Sequence, residues 1–165
     1  ERGGGRGRDQ VEVNVLALTR LCHALGQRMA EYGSGQILNV ASVAAFQPGP
    51  WMSSYYASKA YVLNFSEGLR EELRGRGVRV SVLCPGPTHS AFFRAAQMDV
   101  ARIAGSKLMM SAEEVALITV RALEKNRAII IPGWRNRLLA LSPRLGPRWL
   151  VRKLSGRLTR PFTGA

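Results

Sequence analysis

Ser53-Ser54-Tyr55-Tyr56-Ala57-Ser58-Lys59 is the stretch on which the reading of this chain turns, because it sets a tyrosine four residues before a lysine. Residues four apart on a helix share a face, so the Lys59 ammonium can approach the Tyr55 phenol. A free phenol titrates near pH ~10, and a neighbouring positive charge favours the phenolate. That pairing predicts a tyrosine tuned for general acid/base work. The spacing alone occurs by chance in many helices, and its surroundings are what give it weight. Thirteen residues upstream, Ser42 ends the apolar run Ile37-Leu38-Asn39-Val40-Ala41-Ser42. Thirty residues downstream of Tyr55, Pro85-Gly86 ends a second run, Val78-Arg79-Val80-Ser81-Val82-Leu83-Cys84. Both runs read as buried strands. In an open α/β sheet, ligands bind beyond the carboxyl ends of the strands, where a serine hydroxyl, a Tyr/Lys helix and a Pro-Gly loop can converge.

Outward from this centre the pattern alternates. Val11, Val15, Leu18, Leu21, Leu25 and Met29 repeat at helical spacing over residues 10–32, and Gly33-Ser34-Gly35 stops the helix. A strand at 37–42 and a Pro/Gly loop precede a helix over about 54–74, which buries Val62, Phe65, Leu69 and Leu73. A strand at 78–84 leads into a long loop, and Ser111-Ala112-Glu113-Glu114 is a capping-box start for another helix. Ala128-Ile129-Ile130-Ile131 reads as a last short strand. Strands alternating with helices imply parallel pairing.

At these residues the chain resembles the classical short-chain dehydrogenase/reductase family. The matching elements are Val13-Asn14-Val15, Ile37-Leu38-Asn39-Val40-Ala41-Ser42, Tyr55-Tyr56-Ala57-Ser58-Lys59 and Pro85-Gly86-Pro87-Thr88, in the family's order and spacing over about residues 10–133. The resemblance implies an α/β fold: part of a Rossmann-like, doubly wound parallel sheet, its C-terminal half. It implies Tyr55 as catalytic acid/base, Lys59 as the residue that lowers the tyrosine pKa and binds the nicotinamide ribose, Ser42 as the group orienting the substrate oxygen, and Asn14 as the holder of a relay water. It also places Pro85, Gly86 and Thr88 at the nicotinamide carboxamide. Ser90 stands where the family often has threonine. The implied activity is hydride transfer between NAD or NADP and an alcohol or carbonyl compound, with NADP preferred, in a homo-oligomer that pairs helices 10–32 and 54–74 across a two-fold axis. The loop from Thr88 to Met110 carries Phe92, Phe93, Met98, Leu108 and Met109, so the family's substrate loop is apolar here and hints at a hydrophobic, lipid-like substrate.

The family's strand, glycine-rich turn and helix for the cofactor pyrophosphate have no counterpart in the sequence. Gly3-Gly4-Gly5-Arg6-Gly7 follows no apolar strand, which a phosphate-binding turn requires, and residues 1–9 read as a flexible basic segment. An alternative reading is therefore a non-catalytic fragment serving as a dimerisation or membrane-surface module.

Composition supports a single α/β domain, with 165 residues and 46% hydrophobic content. Cys22 and Cys84 sit in apolar contexts and read as reduced, buried thiols of a cytoplasmic protein. Two histidines and no carboxylate cluster argue against a metal site. The net charge of +13 is unevenly placed, because ten Lys/Arg and no Asp or Glu follow Glu124. Residues 134–165 form a basic amphipathic tail. There Leu150, Val151, Leu154 and Leu158 share one helical face and Arg148, Arg152, Lys153 and Arg157 lie opposite. Such a segment suits peripheral contact with an anionic inner membrane surface, or packing against protein. Nucleic acid is disfavoured, since no recognition motif accompanies the charge.

Overall fold

The computed structural model describes residues 2–89 and 108–159. The apolar runs form one parallel sheet. Strand β1 (Gly35–Val40) pairs with β2 (Val78–Leu83) in a register that sets Gly35 opposite Val78 and Val40 opposite Leu83. Strand β2 pairs in turn with β3 (Ile129–Ile130), so the order is β1-β2-β3. Parallel neighbours need crossovers, supplied by helix α3 (Ser53–Leu73) and helix α4 (Ala112–Glu124).

Side chains alternate across a strand, and both faces of this sheet are covered. Val78, Val80, Val82 and Cys84 face helix α2 (Leu18–Glu31) and α3, packing with Cys22, Val62, Leu69 and Leu73. On the opposite face Leu83, Ile130 and Leu38 meet Val115 of α4. This is the doubly wound arrangement the alternating pattern predicts. Helix α4 opens with the expected capping box: Ser111 Oγ accepts the Glu114 N–H at 3.1 Å, and a Glu114 carboxylate oxygen accepts the Ser111 N–H at 3.0 Å.

The N-terminal region departs from expectation twice. Where a flexible segment was expected over residues 1–9, helix α1 (Arg2–Val11) runs on into α2 through a π-helical stretch, Glu12–Ala17. Glycines disfavour helix, but tertiary packing supplies most helical stability. Gly7 lets α1 lie close to α3, where a Cβ would stand 3.0 Å from Ser54 Oγ. The second departure is the buried face. Cys22 and Gly26 are inside, whereas Leu21 and Leu25 are 61% and 46% exposed. A π segment inserts an extra residue into the helical turn, which advances the core-facing positions by one, from 21 and 25 to 22 and 26.

The basic tail folds into helix α5 (Trp134–Leu141) and helix α6 (Arg148–Thr159). Helix α6 lies on the loop before α3: Thr159 Oγ1 donates to the Pro50 carbonyl at 2.7 Å, and Gly156 packs against the Pro50 ring. It buries the small Ser155 while Trp149, Leu150 and Leu154 stay 59%, 37% and 49% exposed. Among the described residues, no helix is long and apolar enough to cross a membrane.

Candidate active site

Hydrogen bonds that continue past the strand ends build the floor of the site. Ala41 N–H donates to Leu83 O at 2.7 Å and Val43 N–H to Pro85 O at 3.0 Å, which fixes the segment around Ser42 beside the Pro85 loop. Ser42 lies just beyond β1 and caps a 3-10 turn, Val43–Phe46, its Oγ accepting the Ala44 N–H at 3.1 Å. With that acceptor position used, the Ser42 O–H is available to the Tyr55 phenol, with which it hydrogen-bonds.

Tyr55 and Lys59 stand on the first turns of α3. The Lys59 ammonium donates to Val40 O at 3.0 Å and lies over the Tyr55 ring, 5.9 Å from its centroid. An ammonium carries three donors, and Val40 takes one. Asn14, in the π-helical stretch, donates to Ser58 Oγ at 3.1 Å, and Ser58 donates to the Tyr55 carbonyl at 2.8 Å. The structure thus brings Asn14, Ser42, Tyr55 and Lys59 to one place at the carboxyl end of the sheet. Short π segments recur at functional sites.

The electrostatics differ from the simple Tyr/Lys picture. Burial holds the Tyr55 phenol above its ordinary pKa, and the Ser42 hydrogen bond only partly opposes it. Lys59 does not produce the net lowering that was expected. Its ammonium is turned to the Val40 carbonyl and faces the ring, and its own pKa is depressed by burial, with nearby Cys84 acting the other way. Beneath them the fully buried Cys84 thiol is pushed up to about 12, chiefly by burial.

The loop after β2 closes the site. Thr88 Oγ1 donates to Gly86 O at 3.0 Å, and Thr88 pairs with Met110 in a parallel bridge. Gly86 has no room for a side chain: a Cβ there would collide with the carboxamide of Asn136 on α5. Sequence reasoning missed Asn136 and Ser58. Asn136 stands in a tail read only for its charge, and Ser58 sits inside the motif but carried no role. Ser90, Phe92, Phe93 and Met98 lie outside the described residues; Leu108 and Met109 are half-buried. Among the described residues no group of three or more His, Cys, Asp or Glu could hold a metal. Cys22 and Cys84 are free and buried.

Fold and site together define a doubly wound α/β protein with a Ser/Tyr/Lys cluster beyond its strand ends. The chain belongs to the short chain dehydrogenase family, which matches residues 7–101. It is 37% identical over 123 residues to 1-deoxy-11-beta-hydroxypentalenate dehydrogenase of Streptomyces exfoliatus, covering 74% of this chain and 44% of that protein. Among solved structures it resembles a short-chain dehydrogenase from Sphingobium yanoikuyae in complex with NADPH, with TM-score 0.70 and 31% identity over 82% of this chain and 52% of that one. It also resembles the bulky-bulky ketone specific alcohol dehydrogenase from Comamonas testosteroni, with TM-score 0.62 and 27% identity over 82% of this chain and 50% of that one. The chain therefore spans about half the length of these relatives.

The family implies a nicotinamide dinucleotide. The chemistry of the residues suits its ribose end: the Lys59 ammonium and Tyr55 phenol stand together on α3, both able to donate hydrogen bonds to hydroxyls. Among the described residues no strand, glycine turn and helix are arranged to hold the pyrophosphate.

Proposed function

We propose that this chain is the catalytic portion of an NAD(P)-dependent oxidoreductase that interconverts a carbonyl compound and an alcohol, with Tyr55 as the proton donor. The observation that carries the reading is the convergence of Ser42, Tyr55 and Lys59 beyond β1 and β2. The cofactor, when bound, supplies the hydride to the carbonyl carbon. Tyr55 supplies the proton to the carbonyl oxygen; burial holds its phenol above the ordinary value and the Ser42 hydrogen bond opposes that rise. Ser42 holds the same oxygen, Lys59 holds the ribose, and Pro85, Gly86 and Thr88 receive the nicotinamide carboxamide. Asn14, through Ser58 and the Tyr55 carbonyl, steadies the first turns of α3. NADP is the preferred cofactor, supported by the NADPH carried by the Sphingobium relative.

The test joins this chain to the cofactor-binding half of a solved relative and follows oxidation of reduced nicotinamide over a panel of carbonyl compounds. Tyr55→Phe should abolish turnover. Lys59→Ala should raise the cofactor KM and lower kcat, and Ser42→Ala should lower kcat strongly. Wild-type turnover by Tyr55→Phe would overturn the assignment.

The substrate is a bulky, lipid-like carbonyl compound, and the protein meets it at a membrane surface from the cytoplasmic side. Support comes from the Comamonas relative's ketone specificity and from α6, which keeps Trp149, Leu150 and Leu154 exposed among Arg148, Arg152, Lys153 and Arg157. Each cation near an anionic bilayer contributes about 1 kcal/mol, weakened by salt. Co-sedimentation with phosphatidylserine vesicles should be lost in a Leu154→Glu/Lys153→Glu variant; equal pelleting by both proteins would refute it. A homo-oligomer completes the reading, its contact surface the exposed Val13, Leu16, Leu21 and Leu25, and sedimentation velocity on Leu21→Glu tests it.

A further inference from the structure

Asn136 is 2% exposed and sits where three separate parts of the chain meet. Its Nδ2 donates to Pro132 O at 3.1 Å, just past β3, and to Leu108 O at 3.2 Å, with Met110 Sδ at 3.7 Å. Two carbonyls facing one end of a carboxamide fix that end as the NH2, so Oδ1 must point the other way. The carboxamide lies flat against the Gly86 turn: a Cβ built on Gly86 would strike its Oδ1, Cγ and Nδ2 together. Oδ1 itself is buried with no hydrogen-bond partner among the described residues. Buried polar atoms are rarely left unpaired, and the few that are call for an explanation.

Packing alone does not supply one. A leucine would fill similar volume without a buried unpaired acceptor. What the carboxamide does, and an apolar side chain cannot, is tie the Leu108–Met110 segment to the end of β3 while resting against Gly86. The neighbouring bridge depends on the same segment, with Met110 N–H donating to Pro87 O at 3.1 Å and His89 N–H to Met110 O at 3.0 Å. The turn that carries Gly86 and Thr88 is therefore gripped from behind by one side chain.

We propose that Asn136 is a positioning residue for the nicotinamide end of the cofactor, holding the Gly86–Thr88 turn in its receiving conformation and requiring glycine at 86. The proposal rests on the cofactor reading given above. Its reach is the geometry of the turn: Asn136 acts through Gly86 and the Thr88–Met110 bridge, without touching the reacting atoms.

The experiment uses the whole chain, isotope-labelled for NMR, and nicotinamide mononucleotide as the probe of the ring-ribose end. In the wild type the probe should move the Gly86 and Thr88 amide signals. In Asn136→Ala those shifts should be lost, and hydrogen exchange at the Met110 and His89 amides should quicken by roughly tenfold, the cost of about one net hydrogen bond. Asn136→Leu keeps the volume and the contact with Gly86 but loses the donor, and it should behave like the alanine variant. It keeps the test decisive if the cavity left by alanine prevents folding. Gly86→Ala should unfold or distort the turn. The double variant Gly86→Ala/Asn136→Ala should recover the folded spectrum, because the collision is gone, without recovering the response to the probe. A wild-type response in Asn136→Leu, or a double variant that responds like wild type, overturns the proposal and leaves Asn136 as filler. No response from the wild type overturns the cofactor reading, and the proposal falls with it.

Discussion

Cys84 makes the chain sensitive to alkali in a way that can be worked out from its surroundings. The thiol is fully buried at the end of β2, and burial raises its pKa from 9.0 to about 12, with Glu67 adding to the rise and Lys59 opposing it. A raised pKa means that the folded state keeps its proton after the unfolded chain has released it. The stabilisation is whole below pH 9.0 and is lost as pH climbs from there toward about 12. Three pKa units at 1.36 kcal/mol each amount to about 4 kcal/mol, against a total stability of roughly 5–15 kcal/mol for an ordinary domain. Cys84→Ala removes that loss while costing about 1–2 kcal/mol of packing at neutral pH. Urea midpoints measured from neutral pH to about 11 should show wild type ahead at first and the two curves converging or crossing under alkali. Burial also raises the Cys22, Tyr55 and Tyr56 pKa values and depresses that of Lys59, but those groups are present in both proteins. Curves that stay parallel across the alkaline range would refute the reasoning.

Two further outcomes follow from local structure. Ser111→Ala deletes the hydroxyl arm of the capping box that opens α4 and leaves the backbone N–H of residue 111 to the Glu114 carboxylate; it should cost about 1 kcal/mol in chemical denaturation with the Thr88–Met110 bridge intact by hydrogen exchange. Trp51 holds φ at +67 and is 66% exposed, so Trp51→Gly relieves roughly 1–2 kcal/mol of left-handed strain against glycine's ~0.5–1 kcal/mol entropy cost. Its melting temperature should stay level or rise despite the loss of an indole, and a fall of several degrees would show that the ring makes a contact worth more than the strain.

Much of this architecture was legible because the signals were local. Apolar runs gave β1 and β2 to within a few residues, and Ser111 with Glu114 marked the start of α4. The Tyr55/Lys59 spacing and the strand-end position of Ser42 foretold their meeting. What stayed hidden depends on contacts between distant segments or on a break in periodicity. The π stretch at Glu12–Ala17 shifts the buried face from Leu21 and Leu25 to Cys22 and Gly26, and no composition signal announces it. Helix α6 buries Ser155 and bonds Thr159 to Pro50, more than a hundred residues earlier, where leucine counting favours the neighbouring face of Leu150 and Leu154. The direction of the Tyr55 shift was also misjudged, because burial is a property of the fold and the Tyr/Lys spacing says nothing about it.

Helix α3 carries Tyr55 and Lys59 near one end and Arg70 near the other, where the Arg70 guanidinium donates to Val80 O at 2.6 Å and to Asn126 O at 3.0 Å. At 1.5 Å per residue the tyrosine and the arginine are about 22 Å apart along one rod. A rod pinned at its tail aims its tip. Loosening Arg70 frees the far end of the helix that carries the Tyr55 phenol, so the placement of that phenol depends on contacts at the other end of the rod. On the proposed reading of Tyr55 as the proton donor, Arg70, Val80 and Asn126 are a remote handle on its position, one that alters no residue at the reaction centre.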